Sequence, residues 1–379
     1  MDFKLSEEQE LVRENMREFG KTYVDPIAVE IDENSRFPVE VIKKLGEGGW
    51  MGMPIPQEYG GAGTDYLTYA IAVEELSYCC ASTGFTMSVH TGLVCLPLLL
   101  YGNESQKKQY LIPLAKGEHL GAFALTEPGA GTDVGAATST AALEGDEYVL
   151  NGTKTFCSNG PVADTYITFA WTSKADGGRA LSCFIVPKGT PGMRVGEHFA
   201  KMGLRASQTS EIIFKDCRIP KENLLGKEGE GLRIAMNGFD HGRIGIAAQA
   251  VGITQAALDE SISYSKQRVQ FGKPISRNQA VQWWIANMVT DVAAARFLTY
   301  NACYLKDQGK PFSKEAAMAK LFAAECSMRH TIKAVQVHGG YGYVKGQKVE
   351  RLMRDAKITE IYEGTSEAQR MVIAGNVLR

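Results

Sequence analysis

Glu363, in the stretch IYEGTSE at 361–367, is followed by a glycine and two hydroxyl residues. A carboxylate in such a turn is a general base if the fold removes it from water. Left in solvent it is an ordinary loop glutamate. Thr365 or Ser366 has the chemistry to cap a last helix that begins near Glu367. In GAFALTEPGAGTD at 121–133, a strand runs into a Pro-Gly-x-Gly turn. Its glycines let backbone N–H groups converge on an anion or a flat ring, flanked by the hydroxyls of Thr126 and Thr132. The plain alternative is a hairpin loop. QVHGGYG at 336–342 reads as a glycine helix stop. RVQFG at 268–272 sets an arginine near an aromatic, a pair able to clamp a phosphate or simply to end a helix with favourable charge.

Three blocks of elements must position these stretches. From Ser6 to about residue 117 the period is helical: Ser6 and Gln9 form a capping box, Pro38 starts a helix closed at Gly46, and two more helices are expected over 65–78 and 104–114. From 121 to about 225 the segments are short, β-branched and aromatic, as at 166–171, 182–186 and 210–214. Asn151-Gly152 between two such runs predicts a hairpin. After Gly231 the helical period returns, with long helices expected over 233–270, 278–307 and 313–337 that pack as a bundle. The resulting α+β division is an N-terminal helical domain at 1–118, a middle β domain at 119–228 and a C-terminal bundle at 229–379.

At 379 residues, 44% hydrophobic and 22% charged, the composition is that of a globular chain, which excludes disordered and fibrous architectures. The 41 basic and 43 acidic residues leave a formal charge of −2 with no long run of either sign, which argues against nucleic acid or an anionic membrane as main partner. Eight cysteines without a CxxC pair, and no metal-like grouping with the six histidines, read as reduced, mostly buried thiols and no metal site. The acidic, amphipathic start is unlike a secretory signal, and the apolar stretch 92–101 is too short to span a bilayer. A cytoplasmic protein without membrane insertion is expected.

LTEPGAGTD, NGTKTF, QRVQFG, QVHGGYGY and RDAKITEIYEGTSEAQR, in an α, β, α chain, resemble the acyl-CoA dehydrogenase family. The resemblance covers essentially the whole chain and is nearest to the short-chain branch that includes bacterial butyryl-CoA dehydrogenases. It implies a β-barrel or sandwich middle domain, a C-terminal four-helix bundle, and FAD held between them. By position, Phe123, Leu125 and Thr126 line the flavin ring, Phe156 stacks near it and Ser158 offers a hydroxyl to the flavin N5 edge. Arg268, Gln279, Gln336, Gly339 and Gly340 match residues that reach the cofactor across a subunit boundary, implying a homotetramer or at least a dimer. Thr132, Thr365 and Glu367 match further FAD contacts, while Thr132 again, Asp240, His241, Arg243 and Gly364 match acyl-CoA contacts.

Glu363 matches the family's base, which takes the thioester Cα proton while flavin accepts hydride from Cβ; run backward, the same atoms reduce an enoyl-CoA. The resemblance implies an electron-transferring flavoprotein as partner. No GxGxxG follows a strand, so direct NAD use is disfavoured. Phe156-Cys157-Ser158 departs from the more usual Trp or Phe, Ile, Thr, and His241 stands where a smaller or different residue is common, either adding a hydrogen bond near the CoA path or merely exposed. Trp283-Trp284 reads as packing. Two other readings stay open: a dedicated reductase for an unusual enoyl-CoA such as an acrylyl or aryl-propenoyl thioester (caffeyl-CoA, for example), and a non-catalytic flavin or CoA-binding scaffold, against which the intact Glu363 argues.

Overall fold

The computed structural model describes residues 4–173 and 178–378. The first block holds α1 (Glu7–Phe19), α2 (Ala28–Glu33), α3 (Val39–Glu47), α4 (Tyr66–Cys79), α5 (Ala81–Ser88), α6 (Leu96–Tyr101), α7 (Glu104–Gln106) and α8 (Ile112–Ala115). Ser6 and Gln9 close the capping box of α1. Pro38 precedes α3, which runs one residue past the predicted glycine stop. The segment between α5 and α6 winds as a π-helix, Val89–Cys95. The predicted apolar stretch therefore belongs to a longer rod, Ala81–Tyr101, which is long and apolar enough to cross a membrane, but 89% of its most apolar 18-residue window is buried inside the protein. Its apolar surface is used in the core.

The middle block is one sheet in the order β6-β7-β3-β2-β4-β5-β8, with β1 beside β4. Its strands are β1 (Gly121–Ala124), β2 (Thr140–Glu144), β3 (Glu147–Ser158), β4 (Thr165–Ser173), β5 (Arg179–Pro187), β6 (Met193–His198), β7 (Thr209–Pro220) and β8 (Leu224–Leu225). β1 lies parallel to β4, from Gly121 opposite Thr165 to Ala124 opposite Thr168, which aims the LTEPGAGTD turn off the end of the sheet. The Asn151-Gly152 hairpin does not form. β3 runs straight through it, and the register with β7 shifts between Leu150 and Gly152, so the glycine sits in a β-bulge. Gly152 is needed there because a β-carbon would come within 2.2 Å of the Ser139 hydroxyl. Asn151 instead accepts from the Asp216 backbone N–H at 2.8 Å, and the β2–β3 turn is made around Gly145, whose φ is 64°.

The last block begins with α9 (Gly231–Gln267) and the short hairpin of β9 (Val269–Gln270) and β10 (Lys273–Pro274). It continues with α10 (Gln279–Asp307), α11 (Ser313–His338), α12 (Lys348–Thr359) and α13 (Ser366–Val377). α9, α10 and α11 pack on one another, and α12 and α13 lie on α11. One apolar core joins Ile244, Ile246 and Val251 of α9 with Tyr69, Val73 and Leu76 of α4 and with Ile167 and Phe169 on one face of β4. A second core, around Tyr148, Tyr166, Phe184 and Ile219, fills the other side of the sheet. The shared core makes the helical blocks a continuous body on which the glutamate turn is mounted.

Candidate active site

Glu363 stands in the tight connection between α12 and α13, with φ of 51° at Glu363 and 93° at Gly364. The left-handed turn is held from several sides. Ser366 N–H donates to Glu360 O at 2.9 Å. Gln369 Nε2 donates to Glu363 O at 3.2 Å and to Gly364 O at 2.8 Å. Lys320 Nζ, from α11, donates to Gly364 O at 2.7 Å. Thr365 caps α13 by accepting from Ala368 N–H. The preceding Tyr362 stacks on Phe85 with ring centroids 4.6 Å apart and donates its hydroxyl to Gln249 Oε1.

The residue as a whole is half-buried, yet both carboxylate oxygens are out of contact with solvent and have no hydrogen-bond partner. They lie against Gly242 of α9, where a β-carbon on residue 242 would come within 1.8 Å of Glu363 Oε2 and 3.0 Å of Leu93. Burial pushes the Glu363 carboxyl up to about 8, against the opposing pull of Lys320 and Arg243. A carboxylate that strong as a base, unbound and dry, has the character needed to remove a weakly acidic C–H proton.

Of the predicted acyl-CoA contacts, Arg243 comes to this carboxylate electrostatically. It is buried, its Nη1 meets Asp240 Oδ1 at 2.6 Å, and its Nε has no partner. Asp240 also accepts from Ser313 Oγ at 2.8 Å, and burial raises its carboxyl despite the arginine. The reading of His241 as merely exposed is corrected: it is 5% exposed, edge-on to Tyr66 and Phe312 at 5.6 and 5.2 Å. Its Nδ1 bonds Asn237 O at 2.9 Å, and burial pushes the ring down to about 4. The helical turn that presents Gly242 to the carboxylate necessarily turns residue 241 into the packing between α4 and α11.

At the sheet, Phe123 is half-buried against Phe169 and Phe239, and Leu125 is buried. Thr126 and Ser158 are half-buried, while Thr132 is exposed. Phe156 has φ of 53°, is 64% exposed and stacks on Phe199 at 4.9 Å. Beneath the turn lies a pair not singled out in the sequence: Lys154 Nζ to Glu127 Oε1 at 2.7 Å, both side chains almost fully buried. Glu127 also accepts from Thr138 and Ser139, and Lys154 donates to Leu125 O at 3.2 Å, so the pair ties the loop to β3.

On the bundle, Arg268, Gly339, Gly340, Tyr341 and His338 line one pocket. The Arg268 guanidinium lies 5.9 Å from the Tyr341 ring centre, and the glycines have no atom near a would-be β-carbon. Gln279, Gln336 and Glu367 are exposed. A cation beside open backbone suits a pyrophosphate, and the apolar ring seat with the Ser158 hydroxyl suits a flavin. The donor set therefore fits FAD. Asp291, Cys326 and His330 also cluster, but Arg329 Nη2 already occupies Asp291 Oδ2 at 2.8 Å, alongside His330 Nε2 at 2.7 Å. Trp283 is 60% exposed and Trp284 half-buried under Lys333.

Three domain families match along the chain: the acyl-CoA dehydrogenase N-terminal domain over 6–118, its middle domain over 122–217 and its C-terminal domain over 229–378. The chain belongs to the acyl-CoA dehydrogenase family. Members are FAD-dependent oxidoreductases acting on CH–CH bonds, and this chain is one of them. It is 54% identical, over 379 residues and the full length of both chains, to the short-chain specific acyl-CoA dehydrogenase of Clostridium acetobutylicum. It is 49% identical to the acryloyl-CoA reductase (NADH) of Anaerotignum propionicum, covering 100% of this chain and 96% of that one. Butyryl-CoA dehydrogenase from Megasphaera elsdenii superposes over 100% of both chains with a TM-score of 0.98 at 45% identity. A chain in the structure described as the electron transferring flavoprotein of Acidaminococcus fermentans, with its flavin-based electron bifurcation, matches over 100% of both chains with a TM-score of 0.98 at 50% identity.

Proposed function

We propose that this acyl-CoA dehydrogenase acts on short-chain acyl-CoA thioesters, with Glu363 as the base, and exchanges electrons with an electron-transferring flavoprotein. The observation that carries the assignment of the base is the buried, unpartnered carboxylate on a strained turn. The short-chain relatives and the flavoprotein structure support the substrate and the partner. FAD, when bound, supplies the acceptor for the Cβ hydride. Glu363 takes the Cα proton at a carboxylate oxygen, Gly242 leaves room for that carboxylate, and the Glu363 backbone N–H on the same left-handed turn donates to the thioester oxygen. Exclusion of water keeps proton affinity high enough for the carboxyl also to return a proton to Cα in the reverse direction.

In this reading Phe123, Leu125, Thr126, Phe156 and Ser158 seat the flavin, and Thr132, Asp240, Arg243 and Gly364 serve the acyl-CoA. Arg268, Gln279, Gln336, Gly339 and Gly340 reach a neighbour's cofactor in a homotetramer or dimer, and Thr365 and Glu367 add contacts after the base. The exposed apolar residues of α10, Trp283, Val289, Phe297 and Tyr304, support an oligomer. Eight free, buried thiols support a reducing, cytoplasmic setting. The acryloyl-CoA reductase relative supports a second reading, a reductase of short enoyl-CoA, using the same atoms. Glu363→Gln, loaded with FAD, tests the base: it should bind butyryl-CoA yet bleach its flavin slower by about 10² to 10⁴, and bleaching at the wild-type rate would remove Glu363 from the mechanism. A panel of saturated and unsaturated thioesters separates the two directions.

A further inference from the structure

Lys320 has no part in the chemistry above, yet its side chain is fully buried beside the base. Among the described residues it makes no direct ion pair; its Nζ donates to Gly364 O at 2.7 Å, one peptide beyond Glu363. An ammonium without a bonded counter-charge is costly to bury: desolvation pushes Lys320 down to about 8, against the pull of Glu363, and the charge it keeps acts on its neighbours. The nearest use is the base itself. Its carboxylate has no bonded partner, and the turn that carries it has left-handed φ at both Glu363 and Gly364.

Two cations act on that carboxylate, and they are not equivalent. Arg243 approaches from α9 but is paired with Asp240 at 2.6 Å, which offsets part of its charge. Lys320 approaches from α11 with no such pairing; burial and the neighbouring Arg243 lower its proton affinity, while Glu363, and after it Glu360 and Glu367 at the ends of α12 and α13, raise it. The other titratable groups facing Glu363 are Tyr66 and Tyr69 of α4 and the adjacent Tyr362, whose hydroxyls burial keeps protonated. Lys320 is thus the cation whose field and hydrogen bond converge on the same turn.

We propose that Lys320 is a positioning residue for the base, pinning the Gly364 carbonyl so that the Glu363 turn keeps its shape and using its positive charge to let the carboxylate ionise without water. The inference rests on Glu363 being the base. Removal of the charge makes ionisation harder, so oxidation of a saturated thioester, which needs the ionised form, shifts to higher pH.

The test compares FAD-loaded Lys320→Met, Lys320→Arg and Glu363→Gln with wild type, following flavin bleaching by saturating butyryl-CoA from acid to alkaline pH. Lys320→Met should raise the midpoint of the rate profile by about one pH unit or more and lower the limiting rate about tenfold, with KM changed far less. Lys320→Arg, which keeps the charge, should restore the midpoint. A wild-type midpoint and rate in Lys320→Met, beside an inactive Glu363→Gln, overturns the proposal while leaving the base in place. A Glu363→Gln variant that bleaches normally overturns the base assignment and this inference with it. If Lys320→Met fails to retain FAD, Lys320→Arg decides: a midpoint near wild type supports the role, and one displaced upward despite the retained charge overturns it.

Discussion

The carboxylate of Glu363 rests on the backbone of Gly242, so closely that a β-carbon at residue 242 would lie 1.8 Å from Oε2 and 2.8 Å from the carboxyl carbon. Two segments distant in sequence, α9 and the α12–α13 connection, thereby share one small volume. The glycine is there for space, since it sits inside a helix where alanine would otherwise be favoured by about 1 kcal/mol.

Gly242→Ala should therefore fold and hold FAD, while its base is pushed off line. A displacement of about 1 Å costs on the order of 10² in rate. Stopped-flow bleaching by butyryl-CoA should show this loss with thermal stability little changed. An alanine variant with the wild-type rate would mean that the carboxylate works from another seat.

Burial raises the Glu363 carboxyl from 4.5 to about 8 in the folded protein. The folded state thus binds a proton more tightly than the unfolded chain. Its contribution to stability is fully present below the unfolded value, and is lost as pH rises through the interval up to about 8. Glu363→Gln, which has no proton to lose, should gain thermal stability relative to wild type as pH rises through that interval. Melting temperatures that run parallel at all pH values would contradict the burial of the carboxyl.

Lys154 and Glu127 form a buried ion pair that ties the LTEPGAGTD turn to β3. Removing one partner leaves the other charge uncompensated, at a cost of about 3–5 kcal/mol. Lys154→Met should lower the unfolding midpoint in denaturant and weaken flavin retention. The double variant with Glu127→Gln should recover part of both. No recovery in the double variant would show that shape, not charge pairing, is what the turn needs.

Arg268, exposed beside Gly339 and Gly340, presents its charge to a pocket without a counter-ion of its own among the described residues. Arg268→Ala should weaken FAD binding by about 1.5–3 kcal/mol, the worth of a charge-assisted contact. Equilibrium dialysis measures the loss. Sedimentation of the wild type tests the accompanying arrangement: an FAD-loaded monomer would rule out a site shared between subunits.

Where local chemistry decides the structure, the sequence was readable. Ser6 and Gln9 form their capping box, Thr365 caps α13, Gly339 ends α11 with φ of 59°, and the long helices stop within a few residues of their predicted ends. Each depends on groups within a turn or two. The Asn151-Gly152 hairpin failed because pairing with β7 and the crowding of Ser139 govern Gly152, and neither is local. The burial of His241 was not legible either, since Tyr66 of α4 and Phe312, just before α11, pack on it from distant parts of the chain.

The sequence by itself determined the order of helical, sheet and helical blocks, the family, and the presence of a glutamate in the place of the base, because periodicity, caps and motifs are properties of neighbouring residues. Only the tertiary structure decided that this glutamate is dry, unbonded and a stronger base than usual. Proton affinity depends on what surrounds the carboxylate: it is packed on Gly242, with Leu93 beside that glycine, while Lys320 and Arg243 supply the opposing charge. Those residues come from three separate parts of the chain, and only packing of the helices brings them to one point.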